Sequence, residues 1–555
     1  MSVPSQSIKS GVPASNVPVL LTTSLSSYAI PAGPYMLPTD WRRTHLSTLV
    51  NKLINTSSTS QDDTSSSSST TNASIPFDFI VDGQLLRTSL QDYIQSNGLT
   101  NESTLNIEYI RSTLPPTYVA AFEHDDWVAS VDASKQGLFL TSSYDGSVRI
   151  FSSSDSKSAI HTFSSLKSSS ANASLVDARW VPSRVVDLEQ DQRASHSIVT
   201  AGMDGVVRMW KATLPESSQA SSSFKPTAKR LWNGEFHSHP VSSLDVSNSP
   251  NSERSYLISS GWEGALAFWD ATRSNQQGDG EEDDDGDEDD DQDDDEDDDD
   301  DGSDQEGGDR RRKRRKVKNG KRKKGSNPSK VKKPVLTMWH SSPPSSLLPS
   351  STVPGANARV SRAIFEKIQG SSQDSKTPSQ HHSGADRAWS AGWDGGVKGW
   401  DLESGGSNFA SKTSDKVILC LDQMAPLSAS SAPILVTGHM DRSVAIWDMR
   451  TDVSTIANHL TNVHKGPVSC IRSHPTSGYI FSTSSYDGSV KLWDTRSTKQ
   501  SLFSLVGRGA TKGEEEGEKE KVLCLDWSSD GQIIVSGGED KAITVHRGSG
   551  IGRSD

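Results

Sequence analysis

The sequence predicts a mainly β protein, a closed ring of seven small antiparallel sheets preceded by a compact α+β unit. Three observations lead there. The stretch Ser484–Asp494, SSYDGSVKLWD, returns six more times: SSYDGSVRIF (142–151), AGMDGVVRMW (201–210), SGWEGALAFWD (260–270), AGWDGGVKGWD (391–401), GHMDRSVAIWD (438–448) and GGEDKAITVH (537–546). Self-similarity of this kind decides an architecture before any local propensity does. Each copy follows a β-branched run such as Ile198–Thr200, Ile434–Thr437 or Ile533–Ser536, so each reads strand, tight Asp-Gly turn, strand. The chain before residue 112 has a different pattern, mixing short strands with one amphipathic helix.

Further apolar strands precede the repeats, at Val241–Val246, Val360–Phe365, Val417–Asp422, Val468–Ile471 and Val522–Trp527, and another strand after each closing Trp-Asp makes four per unit. This resembles the WD-repeat β-propeller, in which four-stranded blades surround a channel. One blade cannot bury both faces, but seven in a ring cover one another. In the sixth blade the resemblance implies a bonded set of Asp487, Ser482 or Ser484, Trp493 and His464. Repeated seven times on turns, such Asp/Ser/His sets are scaffold and not catalytic triads. Thr117–Phe122 is expected to supply the outer strand of the seventh blade.

Composition sets bounds. The formal net charge of −14 is concentrated: 279–309 holds 23 acids and no base, 310–333 holds 15 bases and no acid, and the rest is close to balance at 42 bases against 48 acids. Phe151, Trp210, Trp269 and Trp400 close successive repeats at intervals of 59, 59 and 131 residues. The long interval places the charged segment, 275–333, as a disordered loop between the third and fourth strands of the third blade. A smaller charged loop, Lys512–Lys521, precedes the last blade. Cys420, Cys470 and Cys524 occupy equivalent first-strand positions and read as core residues in a reducing compartment. With no 18-residue apolar run and no charged-then-apolar leader, the chain reads as soluble and not secreted.

Residues 1–16 are rich in Ser and Pro and read as a disordered tail. From 17 to 112 the expected elements are strands at Val17–Thr23 and Ala29–Leu37, a helix at Arg42–Ile54 with Leu46, Leu49, Val50, Leu53 and Ile54 on one face and Thr39 or Asp40 as cap, a polar loop at Asn55–Ser74, a hairpin through Asp82-Gly83, a helical turn at Ser89–Gln95, and a strand at Leu105–Tyr109. That order is a ubiquitin-like β-grasp. Leu114-Pro115-Pro116 separates it from the propeller at 113–549.

The string FDFIVDGQLLRTSLQDYIQSNGLTNESTLNIEYIRSTLPP followed by such a propeller resembles the ubiquitin-like, Notchless-type domain and propeller of the YTM family of ribosome-assembly WD-repeat proteins. The resemblance implies a non-enzymatic assembly factor of the large ribosomal subunit in nucleus, nucleolus and nucleoplasm. It would join a pescadillo-type protein and a block-of-proliferation-type WD-repeat protein, and be released from pre-ribosomal particles by a midasin-type AAA ATPase; direct rRNA contact stays open. It also implies the role of Glu102, in GLTNESTLN, as a ligand to a divalent cation held by that ATPase, since one exposed carboxylate fills an open position on a hard cation.

Two further sets of residues point to partners. Tyr144, Met203, Trp262, Trp393, Met440 and Tyr486, with Glu539 in the seventh copy, each precede a turn acid, so six large apolar side chains would ring one end of the channel with the composition of an interface core. The basic run Arg310, Arg311, Arg312, Lys313, Arg314, Arg315, Lys316, Lys321, Arg322, Lys323 and Lys324 suits nuclear import or RNA phosphates. A ubiquitin-ligase substrate adaptor is the main alternative, but no F-box-like helical segment precedes the propeller and the β-grasp ends in Leu-Pro-Pro rather than Gly-Gly. The acidic tract motivates a histone chaperone as a third. No phosphate-binding Gly loop, zinc-ligand spacing or nucleophile motif points to an enzyme or a cofactor.

Overall fold

The computed structural model describes residues 15–31, 33–58, 75–153, 158–165, 174–182, 194–214, 226–247, 254–271, 331–340, 359–368, 386–427, 432–449, 458–506, 520–548 and 551. The acidic tract, the basic run and the charged loop up to residue 519 lie outside them, as does the tail to residue 14.

The N-terminal domain runs β1 (Asn16–Thr22), β2 (Pro34–Pro38), α1 (Arg43–Ser58), β3 (Phe77–Val81), β4 (Gln84–Leu85), α2 (Leu90–Ser96) and β5 (Leu105–Arg111). The sheet order is β2-β1-β5-β3-β4, with β1 and β5 parallel in the middle. Alternation along the strands sends Val17, Val19, Phe77, Phe79, Val81, Ile107 and Tyr109 into one core with Leu46 and Val50 of α1. α2 is held at its start by a capping box, Ser89 accepting from Asp92 N–H and Asp92 from Ser89 N–H. The cap expected for α1 is different. Thr39 Oγ1 lies 3.3 Å from Ser15 Oγ instead, and the helix opens from the Arg42 carbonyl, while Arg42 N–H donates to His45 Nδ1 at 3.2 Å. α1 also runs on to Ser58, into the expected loop, and β1 begins at Asn16, inside the expected tail.

Seven sheets follow, each with strands a to d from the inside outwards. Strand a is Val128–Asp132, Leu175–Val181, Val241–Val246, Val360–Phe365, Ile418–Gln423, Val468–Ser473 and Val522–Trp527 in blades one to seven. Strand d of the seventh blade is Thr117–Glu123, paired antiparallel with Ala542–Arg547, so the start of the propeller closes its end. In blade three, strand c (Ala265–Asp270) pairs with strand d at Leu336–Trp339. The end of the expected disordered insert is ordered: Val331–Lys332 pair in parallel with Asn233–Gly234 as a fifth strand on blade two. Lys332 is buried there, its Nζ 4.9 Å from the Trp232 ring centre and bonded to the Asp270 carbonyl. A buried, paired lysine accounts for this order where charge density alone reads as disorder.

The turns repeat one geometry. Gly146, Gly205, Gly264, Gly395 and Gly488 sit at φ between 74° and 89°, and where the sequence has Arg442 and Lys541 instead, these residues take φ of 72° and 54°. The turn therefore imposes the left-handed conformation on residues that ordinarily avoid it.

The bonded set of the sixth blade differs from expectation in one residue. His464 Nε2 lies 2.7 Å from Thr483 Oγ1, Trp493 Nε1 donates to that oxygen at 3.0 Å, and His464 Nδ1 is 3.1 Å from Asp487 Oδ2. Ser482 and Ser484 point to the other face, toward Arg472 and Ser469. Successive strand residues alternate in direction, so only Thr483 shares a face with Trp493. The same hydroxyl position holds the indole N–H of Trp210 on Thr200, Trp269 on Ser259, Trp400 on Ser390 and Trp447 on Thr437.

The two domains touch. The sheet face away from α1 buries Ile80, Leu85 and Ile110 against Leu502 of blade six. Arg87 donates to the carbonyls of Ser501 and Leu502 at 3.0 and 3.1 Å, and Arg496, paired with Asp494 and stacked 4.3 Å from the Tyr479 ring centre, lies 3.9 Å from Glu108.

Burial holds His464 below its ordinary pKa even though Asp487 favours its charge, so the neutral ring donates from Nδ1 and accepts the Thr483 hydroxyl at Nε2. Thr483→Val keeps the shape and strands the Trp493 indole donor. The expected loss is about 1–3 kcal/mol in urea unfolding, with little change in slope. Burial also pushes His124, His439, His474 and His546 down to about 4. An unfolded chain binds protons at these rings from about pH 6.5 downwards whereas the folded one does not. Stability is thus expected to be full above pH 6.5 and to fall between 6.5 and 4. Thermal unfolding across that range checks this, with His439→Gln flattening the decline.

Candidate interaction surfaces

All seven b–c turns emerge at the same end of the sheets. In each blade the residue before the turn acid donates its N–H to the carbonyl of the residue just before strand a: Tyr144 to Trp127 at 3.0 Å, Met203 to Ser174 at 2.9 Å, Trp262 to Pro240 at 3.1 Å, Trp393 to Arg359 at 2.9 Å, Met440 to Val417 at 3.1 Å, Tyr486 to Pro467 at 3.1 Å and Glu539 to Lys521 at 2.9 Å. Backbone pairing therefore fixes the side chains at this end in two interleaved sets.

The six apolar residues are unequally presented. Met440 and Tyr486 are exposed at 53% and 40%, whereas Tyr144, Met203, Trp262 and Trp393 are half-buried. A second set, which the repeat alone did not point to, packs against the first. Trp127, 42% exposed, packs edge-on to Tyr144 at 5.9 Å between ring centres. Lys521 lies 5.6 Å from the Tyr486 ring centre and pairs with Glu539 at 2.8 Å. Arg359 stands between Trp262 and Trp393. The signal for this set was its place, one residue before each strand a. Burial raises the pKa of Tyr144 and Tyr486 above the usual phenol value, so both hydroxyls are neutral donors at physiological pH.

Glu102 occupies a turn between α2 and β5, with Asn101, Ser103 and Thr104 also exposed. The turn is braced around it. Ser103 N–H donates to the Thr100 carbonyl at 3.1 Å, Thr100 Oγ1 lies 3.0 Å from Ser103 Oγ, and Asn101 Nδ2 donates to Ser15 Oγ at 3.0 Å. None of these bonds uses the Glu102 carboxylate, which projects from a loop that leads straight into the central strand of the sheet. Among the described residues no group of three His, Cys, Asp or Glu side chains is placed to hold a metal.

The Ser/Thr and His pairs inside the blades are not reactive sites. Thr141, Thr200, Ser259, Ser390, Thr437 and Thr483 are fully buried and, apart from Thr141, take an indole N–H, so a substrate reaches none of them. Likewise Cys420, Cys470 and Cys524 are buried free thiols, and burial pushes Cys420 and Cys524 up, away from a nucleophilic thiolate.

Residues 17–94 match the NLE (NUC135) domain family, and residues 116–152, 455–494 and 511–547 match the WD domain, G-beta repeat family. The NLE match stops short of Glu102. Over its whole length the chain is similar to proteins named ribosome biogenesis protein YTM1. That of Aspergillus oryzae is 29% identical over 96% of each chain, that of Coprinopsis cinerea 29% over 95% of this chain and 93% of the relative, and that of Schizosaccharomyces pombe 28% over 98% and 99%. The NLE match, the WD-repeat matches and this similarity run through both domains, so the chain is similar over nearly its entire length to proteins named ribosome biogenesis protein YTM1.

Proposed function

We propose that this chain is a non-enzymatic assembly factor of the large ribosomal subunit, acting in pre-rRNA processing in the nucleolus and nucleoplasm. The observation that carries the reading is similarity to named ribosome biogenesis proteins across both domains at once, since WD repeats alone specify only a scaffold. The end of the propeller bearing Met440, Tyr486 and Trp127 docks a block-of-proliferation-type WD-repeat protein, and through it a pescadillo-type protein, in a trimeric complex. The burial of the strand-b hydroxyls Thr141, Thr200, Ser259, Ser390, Thr437 and Thr483 supports a scaffold over a hydrolase.

In this reading the β-grasp domain is the handle for release. A midasin-type AAA ATPase holds a divalent cation with its own oxygens, and Glu102 supplies the last ligand. The exposed position of Glu102 and its braced turn support the assignment, because a ligand on a fixed loop loses little freedom on binding. The run Arg310–Lys324 serves nuclear import. Deleting 310–324 while keeping Val331–Lys332 is expected to shift a fluorescent fusion toward the cytoplasm without lowering the thermal midpoint; unchanged nuclear signal rejects that role.

Glu102→Gln tests the release step, since it keeps size and removes the charge the cation needs. The substitution is expected to abolish chelator-sensitive binding to the ATPase, to leave stability within about ±0.5 kcal/mol, and to let the protein enter pre-ribosomal particles but not leave them. Glu102→Asp, one methylene shorter, falls between. Wild-type release by the mutant, or wild-type binding indifferent to chelator, removes Glu102 from the mechanism.

A further inference from the structure

Arg359 precedes strand a of blade four and is held from both sides. Its guanidinium carbon lies 4.3 Å from the ring centre of Trp262 on blade three and 4.8 Å from that of Trp393 on blade four. Its carbonyl accepts the Trp393 N–H, so main chain and side chain are fixed by the same neighbour. The guanidinium thus lies over two indole rings at once, one from each of two neighbouring blades, and each contact is a cation–π one.

No carboxylate among the described residues pairs with this guanidinium. The acids that follow the two tryptophans each face a histidine. Glu263, after Trp262, bonds to His237; Asp394, after Trp393, bonds to His340 at 3.1 Å. The equivalent cation of blade seven, Lys521, is paired with Glu539. Arg359 is thus a positive fork held at a partly apolar surface, and among the described residues no acid pairs with its charge.

We propose that Arg359 is the specificity anchor of this face and takes a single Asp or Glu carboxylate from the docked protein, bound bidentate in the plane of the guanidinium. Stacking between two indoles restricts the fork before binding, which a carboxylate then meets at low entropic cost. A nucleic-acid phosphate fits less well. Phosphate binding needs many cations in a stripe, whereas the equivalent cation of blade seven, Lys521, is already paired with Glu539. Lys is not equivalent here, because a point charge on a flexible stem neither stacks nor forks.

The proposal rests on the reading that this end of the propeller docks the block-of-proliferation-type protein, and the experiment separates the two. Full-length wild type, Arg359→Ala, Arg359→Lys and Tyr486→Ala are titrated with that purified partner at two salt concentrations, and each with a 20-mer of polyuridine. Arg359→Ala and Arg359→Lys are both expected to weaken protein binding by roughly 30-fold or more, as at a hot spot, and Arg359→Ala, which removes the charge, also to reduce its salt dependence. Thermal midpoints read in parallel separate lost binding from lost fold, and Arg359→Lys keeps the charge should Arg359→Ala fail to fold. Arg359 variants that bind like wild type while Tyr486→Ala weakens overturn the anchor and leave the docking face intact. If all of the variants bind like wild type, the docking reading itself fails. Weakening confined to the RNA arm, with protein binding intact, makes the ligand a phosphate and overturns the carboxylate. A partner Asp or Glu changed to Arg that restores binding to Arg359→Glu establishes the pair.

Discussion

The structure depends on a contact between neighbouring blades: a strand-a side chain that accepts a main-chain N–H from strand a of the next blade. Asp132 takes the amide of Trp180 at 2.8 Å, Asp177 that of Leu244 at 3.0 Å, Asp245 that of Phe365 at 2.8 Å, Asp422 that of Ser473 at 2.6 Å, and Asp526 that of Ala133 at 2.9 Å. The innermost strand of a propeller has no neighbour within its own sheet on the channel side, so its outward-facing donors need partners from elsewhere. A carboxylate supplies a charge-assisted one. The last of these bonds joins blade seven to blade one, and Thr117–Glu123 closes the same seam from the outside. The ring is therefore shut twice, at its inner and its outer radius.

Within each blade the fixed point lies deeper. In blades two to six a hydroxyl on strand b holds the indole N–H of strand c, and in blades three, four and six a histidine before strand a caps that hydroxyl, through His237, His340 and His464. Blade five reaches the same end by another route, with His439 of its own strand b against Thr437. Blade two uses Ser165 against Thr200. The geometry is kept while the residue types vary, which is why the chemistry of Ser, His and Asp here serves packing. A fully buried hydroxyl whose O–H is given to imidazole and whose oxygen takes an indole N–H is out of a substrate's reach.

Much of this was legible from the sequence, and the rest was hidden for physical reasons. The repeat fixed seven blades because every copy must make the same left-handed turn, even with Arg442 in place of glycine. Reading Ser482 or Ser484 for Thr483 was an error of parity, invisible until the strand register places Thr483 opposite Lys491 and next to the face of Trp493. Trp127, Arg359 and Lys521 were missed because they precede their strands and share no residue type, so only the paired carbonyl reveals them as a set. Lys332 read as one charge in a charged run, and its burial against Trp232 is a tertiary event. The β-grasp sheet shows the opposite case. Ile80 and Ile110 break the in-out alternation of β3 and β5, and a strand apolar on both faces signals a second packing partner, here Leu502.

The topology then sorts the surfaces. In every blade the b–c turn and the residue before strand a lie at one end of the sheet, and the a–b and c–d connections lie at the other. The β-grasp domain rests on the c–d connection of blade six, through Asp494, Arg496, Ser501 and Leu502. The long charged insert leaves from the c–d connection of blade three, between Asp270 and Val331. The contact of the β-grasp domain thus falls at the end opposite the ring of Met440, Tyr486 and Arg359. The side chains of the ring are set by the b–c turns and by the residues just before each strand a, whereas the contacts of the β-grasp domain are made at the other end.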